Sequence, residues 1–110
     1  MIITREALVE EQACSDGLRF FDEHFPAGEG TQEEVFEAIE KYAPMQDWQV
    51  WLARKLRLTV TFRTWRDDGK TWVEELYVEG KRHGHRRYWY ADVKPPVEET
   101  WDHGKLVSIL

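Results

Sequence analysis

The chain has 110 residues, and its 21 acidic and 15 basic side chains give a formal net charge of −6 at pH 7. One cysteine, Cys14, excludes an internal disulfide and is typical of a reducing compartment. A net negative charge opposes direct binding of nucleic acid, and no apolar run approaches the ~20 residues that cross a bilayer. We therefore expect a protein of the cytoplasm, without a signal peptide, membrane contact or direct contact with nucleic acid.

The N-terminal half predicts about four short helices. Thr4 is a good N-cap for a helix over residues 5–12. Ser15 or Asp16 can cap a second helix, which we expect to end at Phe25.

A break separates the second helix from the third. Residues 26–30 contain a proline and two glycines, which interrupt regular structure. Residues 31–34, Thr-Gln-Glu-Glu, form a capping box that opens the third helix. Pro44 ends that helix because proline cannot continue the hydrogen-bond ladder. A fourth helix is expected over about residues 48–57.

The apolar period changes from 3.6 to 2 at Leu58, where alternating β-branched and polar residues predict a strand. Asp68-Gly69 favours a tight hairpin turn, whereas two prolines within residues 92–96 predict a looser connection, since proline cannot donate to a central strand. Short connections favour an antiparallel β-meander. The expected fold is α+β, with an acidic helical part, 1–57, and a sheet part, 58–110. The five or so expected strands cover residues 58–63, 72–78, 85–90, 97–102 and 106–110.

The sheet part contains an internal repeat with a period of 24 residues. Residues 63–81 align with residues 87–105, and a period of this size usually means one supersecondary unit beside its copy. Each copy has the pattern of two strands joined by a turn. The matching positions are Arg63/Arg87, Trp65/Trp89, Asp68/Asp92, Lys70/Lys94, Val73-Glu74-Glu75/Val97-Glu98-Glu99, Tyr77/Trp101 and Gly80-Lys81/Gly104-Lys105.

Residues 80–90, Gly-Lys-Arg-His-Gly-His-Arg-Arg-Tyr-Trp-Tyr, resemble the repeats of the MORN family in its bacterial variant. Those repeats pair as successive hairpins around glycine and aromatic positions. The resemblance extends over roughly residues 63–107, with two copies of the repeat. It implies a sheet that binds or packs on a partner, and it implies no catalytic chemistry.

The N-terminal part resembles a helical segment of small phage and prophage proteins. The resemblance is carried by residues 13–17 (Ala-Cys-Ser-Asp-Gly), Phe20-Phe21, residues 25–28 and residues 48–52. An acidic helical half followed by a small antiparallel sheet is also similar to the layout of some anti-CRISPR proteins, including inhibitors of type I-C surveillance complexes. That similarity implies a compact inhibitor that occupies a Lys/Arg groove meant for target DNA.

Acidic residues are concentrated early in the chain, since residues 6–40 hold 11 acids and one base, Arg19. Such charge runs commonly form a solvated helix face. Carboxylates spaced along helices can also imitate a row of phosphates and accept paired hydrogen bonds from arginines. The expected partner is a basic protein surface, such as a subunit of a CRISPR surveillance complex. The predicted contact residues are Asp16, Asp22, Glu23, Glu33, Glu34, Glu37 and Glu40.

We expect no catalytic residue, metal or cofactor. Cys14 lies among acids, which favours a capping or buried thiol over a nucleophile. His83 and His85 lie on one side of a strand, but a metal site needs further ligands. Glu74-Glu75 and Glu98-Glu99 are adjacent strand residues that point to opposite faces, so neither forms an acid/base dyad.

A cluster of basic and aromatic residues spans residues 81–90. Rings beside cations can stack on single-stranded nucleic acid. The acidic chain favours a different role, in which these cations pair across the sheet with Glu74, Glu75, Glu98 and Glu99.

Two other modes of binding stay open. One is a MORN-like structural or antitoxin-type module that binds through an aromatic strand face around Tyr88, Trp89 and Tyr90. Trp65 and Trp89 are expected to pack in the core or between hairpins. The other is a homodimer that pairs through an apolar edge strand at residues 106–110, although we expect a monomer.

Overall fold

The computed structural model describes residues 1–66, 69–90 and 93–109, with the backbone alone for residues 93–95. The chain divides into two compact units, Met1–Trp48 and Gln49–Leu110. Helices and antiparallel sheets are both present, so the expected α+β class is confirmed. The elements of the first unit are β1 (Ile2–Thr4), α1 (Arg5–Glu10), α2 (Ser15–His24), β2 (Glu29–Thr31) and α3 (Gln32–Tyr42).

Side-chain caps fix the helix starts in the first unit. The Thr4 hydroxyl accepts from the Ala7 amide at 3.1 Å and caps α1. Helix α3 has the complete capping box, in which Thr31 Oγ1 accepts from the Glu34 amide and Glu34 Oε1 accepts from the Thr31 amide. Both bonds satisfy amides that a helix start leaves unpaired.

Helix α2 begins differently from the expectation. Its N-cap is Cys14, whose Sγ accepts from the Gly17 amide at 3.4 Å, rather than Ser15 or Asp16. Those two residues instead form the first turn of α2. Of the two roles expected for Cys14, a capping or a buried thiol, it has the capping role and is exposed.

A two-stranded sheet, which the sequence did not predict, joins the residues before α1 to the residues before α3. Strand β1 pairs antiparallel with β2, with Ile3 opposite Gly30. A side chain at Gly30 would meet the Phe25 ring at 2.6 Å, so any larger residue would force this ring to shift. The buried apolar residues of the unit are Ile3, Leu8, Phe21, Val35, Phe36 and Ile39. In the described part of the chain, no helix is long and apolar enough to cross a membrane.

The second unit is built on an antiparallel sheet with strand order β3-β4-β6-β7-β8, and β5 pairs with β4. Helix α4 (Trp48–Lys55), whose first residue closes the first unit, precedes this sheet. The strands are β3 (Val60–Trp65), β4 (Trp72–Val78), β5 (Lys81–Arg82), β6 (Gly84–Tyr90), β7 (Val93–Asp102) and β8 (Lys105–Ile109).

The two faces of this sheet have different environments. Alternate residues of β4 are buried, and they share the inner face with Phe62 of β3. Val73, Glu75 and Tyr77 on β4 are each no more than 5% exposed. The other face, which we call the outer sheet face, is half-buried along β4.

The connection expected over residues 92–96 is wrong in part, because β7 begins at Val93 and includes Pro95 and Pro96. The register shifts where this segment faces β6, between Tyr88 and Tyr90. Strand β8 pairs only with the later part of β7, from Glu99 onward. Both prolines therefore lie at a bulge in the pairing with β6 and before the residues that pair with β8. At such positions a residue needs no backbone N–H for the hydrogen bonds of the sheet, so proline is tolerated. Asp92, Asp67 and Asp68, which carry two of the expected turns, lie outside the described residues.

Candidate protein-binding surfaces

The seven predicted contact residues all lie on two helices of the first unit. Six of them are exposed, and Glu40 is half-buried. On α3, Glu33, Glu37 and Glu40 follow a spacing of four and three residues, opposite the buried Val35 and Ile39. We call the seven residues the acidic helical surface: Asp16, Asp22, Glu23, Glu33, Glu34, Glu37 and Glu40.

The structure brings the C-terminal ends of α2 and α3 together. The rings of His24 and Tyr42, the last residues of the two helices, stack with centroids 5.3 Å apart. Glu23 and Glu40 precede these rings by one and two residues. Each helix therefore carries an acid within its last turn at this end of the unit.

Asp16, Asp22 and Glu37 are already in ion pairs. Arg5 Nε lies 2.8 Å from Asp22 Oδ1, and Lys41 Nζ lies 2.6 Å from Glu37 Oε1. Arg19 Nη1 is 3.7 Å from Asp16. All these pairs are exposed, so each contributes little to stability and is easily opened by a competing cation.

Glu34 has a structural role in addition to its charge. The Thr31 amide, and then the Thr31 hydroxyl, lower the pKa of this carboxyl below its ordinary value of 4.5. The Glu34 carboxylate is therefore anionic at physiological pH, but it is also hydrogen-bonded to the amide at the start of α3. Glu23 and Glu33, in contrast, make no ion pair or hydrogen bond with any other described residue.

Charge is divided unequally between the units. Residues 1–48 hold twelve acids and three bases, a net charge of −9, whereas residues 49–110 hold nine acids and twelve bases, a net charge of +3. The acidic character of the chain therefore belongs to the helical unit alone, which strengthens the field at the acidic helical surface.

Two rows of side chains cross the outer sheet face. Trp65, Trp72 and Trp89 lie opposite one another on three strands, with ring centroids 5.6 and 4.0 Å apart. Beside this tryptophan row runs a charged row in which Arg63, Glu74, Arg87 and Glu98 alternate in sign across four strands. Trp89 thus packs on Trp72 of the neighbouring hairpin, as expected, whereas Trp65 contacts Trp72 within its own hairpin.

The aromatic face expected around Tyr88, Trp89 and Tyr90 is not one surface. Trp89 belongs to the outer tryptophan row, whereas Tyr88 points to the inner face and donates its hydroxyl to Glu99 at 3.2 Å. Tyr90 stacks with Tyr88 at a centroid distance of 6.3 Å. Adjacent strand residues face opposite sides, and this alternation divides the three rings.

The cations of residues 81–90 pair largely as expected. Glu75, 2% exposed, accepts from Arg82 Nε at 2.7 Å and from Arg86 Nε at 2.8 Å. On the outer face, Arg87 Nε lies 3.4 Å from Glu98. These pairs leave few cations of the cluster available to bind nucleic acid, and they place the acids of each Glu-Glu step on opposite faces.

A second inner carboxylate, Glu99, collects three donors. They are Arg86 Nη1 at 3.3 Å, the Tyr88 hydroxyl at 3.2 Å and the Trp101 indole at 2.9 Å. The sequence predicted that these cations pair with Glu75 and Glu99, but it did not predict this network on the inner face. Which of Arg86 and Arg87 faces inward is known only once the strand register is known.

Within residues 1–66, 69–90 and 93–109, one group of possible metal ligands is present, and it lies at the turns. Ligand atoms of His83, Asp102 and His103 lie within 4.8 Å of one another. Asp102 Oδ1 is already 2.6 Å from His103 Nδ1, the cation Arg82 precedes His83, and the cation Lys105 follows His103 by two residues. We assign no metal to these residues.

Comparison with known protein families, with curated proteins and with solved structures finds no match to this chain.

Proposed function

We propose that this protein is a non-enzymatic inhibitor of the phage type, which acts in the cytoplasm of a host cell. It presents the acidic helical surface to a Lys/Arg-lined groove of a partner that normally binds DNA. The concrete form of the proposal is an anti-CRISPR protein that blocks the DNA-binding channel of a type I surveillance complex. The observation that carries it is the net charge of −9 on the helical unit, with its acids exposed on α2 and α3.

The spacing of the acids supports mimicry of a phosphate row. Glu33, Glu37 and Glu40 are separated by roughly 4.5–6 Å along the axis of α3, given a rise of about 1.5 Å per residue. Charges on one DNA strand are separated by about 3.4 Å along the helix axis. The two spacings are of the same order, so arginines arranged for phosphates can reach these carboxylates with paired hydrogen bonds.

The test uses the two acids without partners. We expect Glu23→Lys with Glu33→Lys to weaken binding to a purified type I surveillance complex by about 100-fold, because each lost charged hydrogen bond contributes about 1.5–3 kcal/mol. The matched control is Glu10→Lys with Glu11→Lys, which changes the charge of the same unit equally outside the surface. Biolayer interferometry at low and raised salt measures both, and circular dichroism checks that each variant is folded.

Three results decide the outcome. Loss of binding in the first variant alone supports the acidic helical surface. Equal loss in both variants shows that net charge, and not this surface, drives binding. Failure of the wild-type protein to bind any surveillance complex removes the anti-CRISPR form of the proposal.

A second candidate is a MORN-like structural or antitoxin-type module that binds through the outer sheet face. Its support is the repeat in register: Arg63 lies opposite Glu74 in the first copy, and Arg87 lies opposite Glu98 in the second. Each copy thus reproduces the same cross-strand pair. In this case Trp65→Ser, at the end of the tryptophan row, weakens partner binding more than the Glu23/Glu33 variant does.

A further inference from the structure

A small cavity of about 150 Å³ lies in the second unit, beside the turns that end β4 and β7. Its lining is unusual for this chain, because it holds three cations and no carboxylate among the described residues. The lining residues are Arg54, Tyr77, Gly80, Lys81, Arg82, Trp101 and Gly104.

The three cations are held in different ways. Arg54 and Lys81 are exposed and can move toward a ligand. Arg82 is fixed, because its Nε donates to the buried carboxylate of Glu75 and its guanidinium lies 5.3 Å from the centre of the Trp101 ring. This bond uses one N–H of Arg82, so the terminal nitrogens are the groups that can serve the cavity.

A buried hydroxyl supplies an independent indication of a ligand. Tyr77 is 1% exposed, and its Oη is buried without a hydrogen-bond partner in the described part of the chain. Leaving a buried hydroxyl unpaired is costly, so such groups usually have a partner, an ordered water or a ligand. Tyr77 is one of the residues that line the cavity, so we place that partner in the cavity.

At the C-terminal end of helix α4, the carbonyls of Ala53 and Arg54 already have donors. Its end forms a Schellman motif, in which Leu58 N donates to Ala53 O at 2.9 Å and Arg57 N donates to Arg54 O at 3.3 Å. Carbonyl oxygens that already have donors repel an anion less than free ones. Gly80 packs directly against this helix end, where an added side chain would meet Arg57 Cα at 3.0 Å.

We propose that this cavity binds a small oxyanion, namely phosphate or the phosphoryl group of a small phosphomonoester. Arg82 and the Tyr77 hydroxyl form the fixed part of the site, and Arg54 and Lys81 close over the ligand. A water occupies about 30 Å³ of liquid, so the cavity holds a phosphate-sized group with few waters and has no room for an attached sugar and base. Those parts of a larger ligand extend into solvent.

This site is independent of the acidic helical surface, because it lies in the unit that carries a net charge of +3. Its ligand class is also opposite in charge to the proposed partner groove. Either proposal can fail without affecting the other.

The experiment titrates inorganic phosphate into the full-length protein at constant ionic strength and follows binding by calorimetry and by the melting temperature. We expect saturable binding with a rise in melting temperature, since a ligand that binds only the folded state stabilises it. Arg54→Gln and Lys81→Gln should each weaken binding at least about tenfold. Lys55→Gln is the matched control, because it removes one charge from the next position of the same helix and should leave binding unchanged.

Tyr77→Phe separates the ligand role of the hydroxyl from a structural one. Without phosphate, this variant should melt no lower than the wild-type protein, because only an unpaired group is removed. Its affinity for phosphate should nevertheless fall. A variant that binds phosphate as well as the wild-type protein overturns the role of the hydroxyl.

The source of the oxyanion is decided by a second titration, with glycerol phosphate. Tighter binding of glycerol phosphate than of inorganic phosphate identifies a phosphomonoester site, and the reverse order identifies a site for the free ion. No binding of either probe, or an equal loss in Lys55→Gln and Arg54→Gln, overturns the proposal.

Discussion

The two units of this protein use charged residues in opposite ways. In residues 1–48 the described ion pairs are exposed, as between Arg5 and Asp22, whose side chains are both 48% exposed. In residues 49–110 charged groups cross the inner face of a sheet, where Glu75 is 2% exposed and Arg86 18%. The comparison teaches that exposed acids of the first unit are available to a partner, whereas Glu75 and Glu99 of the second are structural.

The largest loss of stability is expected when the buried acid is removed. Glu75→Ala leaves Arg82 without its carboxylate and deprives Arg86 of one of two. Breaking a buried pair from one side costs about 3–5 kcal/mol, because the remaining charge stays desolvated. Urea unfolding followed by tryptophan fluorescence measures this loss well, since five of the six tryptophans lie in residues 49–110.

The adjacent residue is the control. Glu74→Ala removes the same group from the outer face, where its side chain is 32% exposed and 4.0 Å from Arg87. Its cost should stay below about 1 kcal/mol. Equal costs for the two variants would mean that the faces of the sheet do not differ as described.

A smaller effect is expected at the capping box of the first unit. Thr31→Ala removes the acceptor for the Glu34 amide at the start of α3. The loss should be about 1 kcal/mol, the usual cost of an N-cap. Far-UV circular dichroism during urea unfolding measures it, and Thr31→Ser, which keeps the hydroxyl, should restore most of the stability.

Breaking an exposed ion pair should lower the stability by less than the loss of the N-cap. Arg5→Gln breaks the contact with Asp22, and we expect a change of about 0.2–1 kcal/mol that shrinks further as salt is added. Thermal melts at low and high salt measure both effects. A larger or salt-independent loss would place this pair with the buried network of the second unit.

The smallest expected effect concerns pH. The cap lowers the pKa of Glu34, so the ionised form stabilises the folded state. That contribution is complete above the ordinary value of 4.5 and is lost as pH falls through the lowered pKa of the folded state. In Glu34→Gln, which can still cap as an amide, this part of the pH dependence should disappear from melting curves recorded below pH 4.5. An unchanged pH profile would contradict the assignment.

Local patterns predicted local structure well. The capping box at Thr31 and Glu34 was readable because it depends on residues three apart. The pairing of Arg87 with Glu98 was also accessible, since both recur with the period.

Features that depend on tertiary contacts could not be read in the same way. Strands β1 and β2 have three residues each, too few to show alternation, and they form only because they pair with each other. The bulge that admits Pro95 and Pro96 depends on the register of neighbouring strands. The cavity that Tyr77 lines is formed by α4, β4, β5, β7 and the turns at Gly80 and Gly104, so no single stretch of sequence signals the site.

The double charges on β6 and β7 have a consequence for folding. Arg86-Arg87 faces Glu99-Glu98 in the native register. A slip by one residue would still leave one arginine opposite a glutamate, while every side chain of one strand changed faces. Electrostatics therefore separates the two registers only weakly within this hairpin. Glu75 on β4 distinguishes the two registers, because Arg86 contacts both Glu75 and Glu99 only in the native register. We expect the hairpin of residues 84–102 to sample both registers in isolation and to become unique when it docks on β4.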